Sequence, residues 1–376
     1  MRSHGLASVH EFLGDFVVYR NLQPVDRRLP SLREVASRVG LADRRIPRKC
    51  EPTYAQVISH LLRQARVLDA PGASIERLIY VGDTQMNDGT AFGLICQAGG
   101  WPGLAFIGAE RDEPTKVELV EQQEGTLYLA NRWAALADFD RFCRERGLVI
   151  DERAAVIVDM DKTALGARGR NDHVIDQARL EAVHHTVGAL LAGCFDAVAF
   201  REAYDLLNKP EFHPFTADNQ DYLAYLCLIL GSGHHTLETL VAAVREGRLA
   251  SFEQYLAEVD VRSARLPSEL RVIHERIREA VGRGDPTPFK TFRRNEYRST
   301  VERMGQLSDE TPPTTLLQHE ILITQEVREM ALCWRQRGAL LFGLSDKPDE
   351  ASIPTEDLAA RGYQPIHRVE THAVGS

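Results

Sequence analysis

Hydrophobic and polar positions along this chain follow two different periods, and the change between them divides the sequence. Residues 52–67 place Ala55, Val57, Ile58, Leu61, Leu62, Ala65 and Val67 at helical spacing. Short apolar runs at 78–81, 103–107 and 126–130 read as strands, and 90–98, 117–124 and 133–146 as helices. The run Ala154 to Val158 has no polar position, as expected of a strand buried on both faces of a parallel sheet. Alternation of this kind implies a parallel sheet joined by crossover helices. Upstream the pattern is weaker: 15–19 fits a short strand, 30–39 a helix capped by Ser31, and 44–49 a basic turn.

From residue 175 to residue 330 the helical period persists and no convincing strand interrupts it. Helices are expected at 178–192, 200–207, 221–230, 236–245, 252–259, 267–281 and 289–304, separated by Gly, Pro and His clusters. One long helix is expected over 316–337, with Gly338 at its left-handed end. A strand at 339–345 and an edge strand in the tail, 366–374, return the chain to α/β character.

Composition adds limits. A length of 376 residues suits about two domains, and 44% hydrophobic with 26% charged residues is ordinary for a globular protein. No apolar run approaches the roughly 18 residues that span a bilayer, and no secretory h-region comes after Met1, so no membrane is expected. Six cysteines without a CxxC pair read as reduced thiols of a cytoplasmic protein. A net charge of -9 argues against nucleic acid as a partner.

The chemistry gathers at strand ends. The run at 154–158 leads into Asp159-Met160-Asp161-Lys162-Thr163. Side chains alternate along a strand, so Asp159 and Asp161 start on one side, and acids that close repel unless a cation or a shared proton intervenes. Taken alone, the pair is equally well an acidic turn. Two more strands end in polar groups: 78–81 runs into Gly82, Asp83 and Asp88, and 339–344 into Ser345, while Lys49 opens the helix before the Asp83 strand. In a parallel sheet such ends line one edge, where open α/β sheets bind ligands. Several carboxylates at one point favour Mg2+, which takes few protein ligands and also binds phosphate oxygens. A hydroxyl and an ammonium complete a phosphate site.

In four stretches, DMDKT, ALLFGLS, RKCEP and LIYVGDTQMND, the sequence resembles the haloacid dehalogenase-like (HAD) superfamily over its α/β parts, about half of the chain. The resemblance implies an α/β fold with a Rossmann-like three-layer core and a parallel sheet, residues 1–165 and 313–376. A large all-helical cap, 166–312, is inserted between the first- and second-motif strands. The family's usual motif order is departed from: Lys49 and Asp83 precede Asp159, and Ser345 comes last. That order looks like a circular permutation, which requires the C-terminal tail and the N-terminal region to lie close in space. Two degenerate copies are rejected, because neither half of the chain holds a full set.

The resemblance also implies roles. Asp159 would be the nucleophile and Asp161 the general acid and base; Asp159, the Asp161 carbonyl and Asp83 would hold Mg2+, with Asp88 as a ligand or behind one. Ser345 and Lys49 would bind phosphoryl oxygens, Lys347 being a second candidate for the lysine. Thr163 would fix the turn, and Arg168 or Arg170 would contact substrate or merely form a hinge. The implied activity is a cytoplasmic Mg2+-dependent phosphatase acting on a small phosphorylated metabolite. A metal-dependent glycosyltransferase using the DxD would leave Asp83, Ser345 and Lys49 unexplained, and a non-catalytic HAD-like binding protein is the other alternative. Lys290, Arg294 and Arg298 share a helix face that reads as solvated more readily than as substrate-binding. The pairs His184/His185 and His234/His235, and His367 with His372, point their rings apart and suggest no shared metal.

Overall fold

The computed structural model describes residues 1–41 and 46–376; Arg44 and Arg45 of the expected basic turn lie outside the described residues. Ten strands are present among the described residues: β1 Arg2–Ala7, β2 Val17–Val18, β3 Arg77–Gly82, β4 Gly103–Gly108, β5 Val117–Glu121, β6 Gly125–Ala130, β7 Ala154–Asp159, β8 Ile323–Thr324, β9 Leu340–Leu344 and β10 Thr371–Gly375. Seven form one sheet in the order β2-β9-β7-β3-β4-β6-β5, parallel except for the last pair. Every residue of β7 is buried, as its unbroken apolar run requires of a central parallel strand. The helix Pro52–Asp69 lays Val57, Ile58, Leu61 and Leu62 against β3 and β7 in a single core.

Two compact units result, one made of Met1–Gln177 with Thr300–Ser376 and the other of Ala178–Ser299. The divisions fall at 177/178 and 299/300 rather than at 165/166 and 312/313. The second unit is helical throughout, with Leu207, Tyr225, Leu226, Phe252, Leu256 and Phe292 in its core. Its core also holds ions: Arg293 bonds Asp221 at 2.7 Å and Glu296 at 2.6 Å, and Arg179 bonds Glu296 at 3.2 Å. On the neighbouring face of the helix Lys290–Val301, Arg294 and Arg298 are exposed and Lys290 bonds Asp285, as a solvated stripe would be.

Three elements differ from expectation. Residues 117–124, expected to be helical, contain β5, paired antiparallel with β6 in full register. Pairing overrides the helical bias of its glutamates, and those charges shield the exposed edge of the sheet. The single helix expected over 316–337 is instead two, Pro313–His319 and Gln325–Gln336, split by β8. The buried Asn171 side chain takes up the backbone freed at the break, donating to the Leu317 and Glu320 carbonyls and accepting from the Leu322 N–H at 3.0 Å. Finally, β1 was not legible, and the tail strand β10 joins it in a separate three-stranded sheet, β1-β10-β8. Arg2 pairs with Gly375 and Ala7 with Thr371, so the two ends of the chain are hydrogen-bonded neighbours.

A second tie joins these ends. His367 is fully buried; its Nδ1 lies 2.9 Å from the Tyr19 hydroxyl and its Nε2 3.1 Å from Asp15, which Arg368 also bonds. Asp15 is an acceptor only, so Nε2 carries the hydrogen and the neutral ring accepts from Tyr19. Burial lowers the His367 pKa from 6.5 to about 4 against the pull of Asp15. A depressed histidine contributes stability that is present above pH 6.5 and is lost as pH falls towards 4, because the unfolded chain takes the proton first. In urea denaturation the advantage of the wild type over His367→Gln should therefore shrink steadily between pH 6.5 and pH 4; an advantage that is flat with pH would refute the assignment.

Candidate active site

The strands β9, β7 and β3 lie side by side and parallel, so their carboxyl ends open on one edge. Asp159 pairs with Leu344, which sets Ser345 one residue beyond that level. Val81 pairs with Val158, which carries Asp83 to the same height. Lys49 reaches this edge from the turn before the helix Pro52–Asp69. Its Nζ donates to Asp88 Oδ1 at 2.6 Å and to Asp159 Oδ1 at 2.7 Å, and all three side chains are buried. Ligand atoms of Asp83, Asp88 and Asp159 lie within 4.8 Å of one another.

The loop after β3 is built around Asp88. The N–H groups of Asp88 and Gly89 both bond the Thr84 carbonyl, at 2.9 and 3.3 Å. The second bond spans five residues, a π-type turn of the kind common at functional sites. Asp88 is thereby folded onto its own loop. Its Oδ2 accepts from the Asp83 N–H at 3.0 Å, the Thr84 N–H at 2.9 Å and the Thr84 hydroxyl at 3.0 Å. Its Oδ1 accepts from the Tyr80 hydroxyl at 3.0 Å as well as from Lys49. These donors fill the lone-pair positions of the carboxylate. Gly82 makes room, since a Cβ there would lie 2.6 Å from Asp88 Cγ.

Asp83 and Asp159 are left more open. Arg168 Nε bonds Asp83 Oδ2, and Asp83 also shares a side-chain hydrogen bond with Asp88; Lys49 bonds Asp159 Oδ1, and the other Asp159 oxygen receives no hydrogen bond from the described residues. The charges sort accordingly. Burial works against the Lys49 ammonium, but Asp159 and Asp88 outweigh it and raise its pKa well above the usual lysine value. Against the effect of burial, Lys49 and the Thr84 N–H hold Asp88 far below the carboxylate range. Burial and the charge of Asp88 push Asp83 up to about 7, with Arg168 opposing. Burial drives Asp159 upward too, Lys49 opposing and Asp88 and Asp83 adding. Three buried acids face two cations, Lys49 and Arg168, so the group is short of positive charge. A set of hard oxygen donors with this deficit fits a divalent cation such as Mg2+.

Beyond Asp159 the chain turns tightly. The Leu165 N–H bonds the Met160 carbonyl at 2.9 Å, and Lys162 sits at φ 66° in the left-handed region. Asp161 is half-buried in this turn. The Thr163 carbonyl accepts from the Thr324 hydroxyl, while its own buried hydroxyl has no partner among the described residues. Ser345 is buried and its Oγ accepts from the Lys347 N–H at 3.0 Å, which puts Lys347 on the same loop. Arg170 does not join the acid cluster. Its guanidinium is spent on Glu110 at 2.9 Å and on both oxygens of Glu326, at 2.9 and 3.0 Å, which reads as a structural clamp.

Tyr80 and Thr84 were missed as site residues. Tyr80 had a signal, as the one polar tip in the apolar run 78–81; Thr84 had none short of the loop's own winding. No protein-family model, curated protein or solved structure matches this chain.

Removing one partner from a buried ion pair leaves an uncompensated charge and costs about 3–5 kcal/mol. Lys49→Met should lower stability by about that much at pH 8 in chelator, measured by urea denaturation. An unchanged midpoint would show that Lys49 does not hold the two acids.

Proposed function

We propose that this chain is a Mg2+-dependent phosphohydrolase of the HAD type with a circularly permuted core, acting on a small phosphorylated substrate. The observation that carries this reading is the meeting of Asp83, Asp88 and Asp159 within 4.8 Å, with Lys49 bridging two of them. The four stretches that resemble the family's motifs lie far apart in sequence, and three of them end neighbouring strands. The pairing of β1 with β10 supports the permutation, since it supplies the closeness of the ends that a permutation needs.

Asp83, Asp159 and the backbone carbonyl of Asp161 would hold Mg2+, with Asp88 fixing the loop that presents Asp83. The bound cation would supply the positive charge that keeps Asp159 ionised and offsets the phosphoryl charge. Asp159, with an oxygen that no described donor reaches, attacks phosphorus as the bond to the leaving oxygen breaks, giving an aspartyl-phosphate. Asp161 protonates the leaving oxygen, then takes a proton from the water that attacks phosphorus and frees Asp159. Lys49 orients Asp159 and, with Ser345, binds phosphoryl oxygens. A glycosyltransferase would leave the Lys49 bridge and the Asp88 loop without a task.

Phosphate release from aryl phosphates and a panel of phosphorylated metabolites, with and without Mg2+, tests this reading. Turnover should require Mg2+, and Asp159→Asn should abolish it while leaving the circular dichroism spectrum unchanged. Undiminished turnover in that variant would sink the nucleophile assignment; sugar-nucleotide turnover without ester hydrolysis would favour the glycosyltransferase.

A further inference from the structure

The helical unit carries a basic pocket that the proposed chemistry does not use. Its volume is about 260 Å3, and Ser232, Gly233, His234, Arg262, Arg265 and Pro267 line it. Typical small-molecule sites run from about 300 Å3 upward, so this one suits a compact ligand of a few heavy atoms. The wall is mainly polar, and its charges are of one sign. Neither Arg262 nor Arg265 has an acid partner among the described residues, although acids outnumber Lys and Arg in the chain by 54 to 45. Two other arginines of the same unit do have one: Arg278 lies 3.4 Å from Asp260, and Arg248 lies 2.7 Å from Glu246.

Three features give the pocket direction. His234 Nε2 is buried and lacks a hydrogen-bond partner among the described residues. An orphaned buried ring nitrogen in a native fold calls for a ligand or water. Arg262 and Arg265 both act on that ring: burial first, then His235, the two arginines and His274, lower its pKa. The helix Ser268–Gly282 begins at Pro267 with no side-chain cap, so its first N–H groups and positive dipole end lie at the rim. Opposing these, the helix Gln220–Gly231 ends beside Ser232, and Glu258 acts on the adjacent His235. The Ser232 hydroxyl is turned back to the Ile229 carbonyl at 2.7 Å and relieves part of that negative end.

We propose that this pocket binds a phosphoryl dianion, free or on a small carrier, through Arg262, Arg265 and His234. Two guanidiniums and an imidazole are the donors that match a tetrahedral anion with several acceptor oxygens. The site is built within residues 232–267 and does not depend on the acid cluster at the sheet edge.

Titration calorimetry of the full chain with inorganic phosphate and with phenyl phosphate, in chelator, tests it. Without Mg2+ the acid cluster repels anions, so the binding seen reports on the basic pocket. The double variant Arg262→Gln/Arg265→Gln should weaken binding by at least about tenfold, and His234→Gln by less. Both arginines are exposed and lack an acid partner, so the melting temperature should not fall. In proton NMR the His234 ring signal should move on phosphate addition in the wild type and stay still in the double variant. Tighter binding of phenyl phosphate would indicate a carried phosphoryl group, and tighter binding of phosphate a free one. No binding at millimolar concentration, or equal affinity in the double variant, would overturn the proposal. Because Asp159→Asn should retain this binding, loss of the phosphatase reading would leave the pocket's test intact.

Discussion

One ammonium holds two carboxylates that would otherwise repel, and the sheet edge is arranged around that fact. Lys49 bonds Asp88, in the loop after β3, and Asp159, at the end of β7, and both are buried. Taking three such ions out of water is expensive, and their attraction offsets the cost only with good geometry and every remaining lone pair engaged. For Asp88 the loop meets that condition, wrapping it in the N–H groups of Asp83 and Thr84 and the Tyr80 hydroxyl. For Asp159 and Asp83 it does not. The less enclosed carboxylates are therefore the residues with roles in the proposed chemistry, a division expected where stability is given up for function.

The strand ends were legible because a buried parallel strand announces itself by an unbroken apolar run, and the residues just past that run are forced to the sheet edge. Asp83, Asp159 and Ser345 could be placed on that basis alone, as could the helix that positions Lys49. Elements defined by partners distant in sequence were not legible. Nothing local marks 117–121 as a strand; its register comes from β6. Nothing within 316–337 announces a break as clearly as Asn171, which lies well upstream and captures the backbone there. Arg170 looked like a site residue from its place after the DxD turn, yet its charge is consumed by Glu110 and Glu326, neither of which the sequence pairs with it.

The helical unit shows the same logic with a different outcome. Its core ion network of Arg179, Asp221, Arg293 and Glu296 is closed, each charge answered by another. Such a network adds little net stability over apolar packing of similar volume, but removing one of its members would leave an uncompensated buried charge. The arginines at 262 and 265, by contrast, remain unanswered, which is what sets that pocket apart from the rest of the unit.

The order of strands in the large sheet also bears on how the chain is made. β7 is flanked by β3, synthesised 72 residues earlier on the count from Gly82 to Ala154, and by β9, which begins only at Leu340. A nascent chain thus completes one side of its central strand early and leaves the other side, apolar and unpaired, open until Leu340 and the residues after it have emerged. Unpaired apolar edges of this sort attract other chains. While it waits, the ribosome-bound protein presents the kind of surface that chaperones recognise, and the helical segment made in between spends that interval tethered to an unfinished sheet.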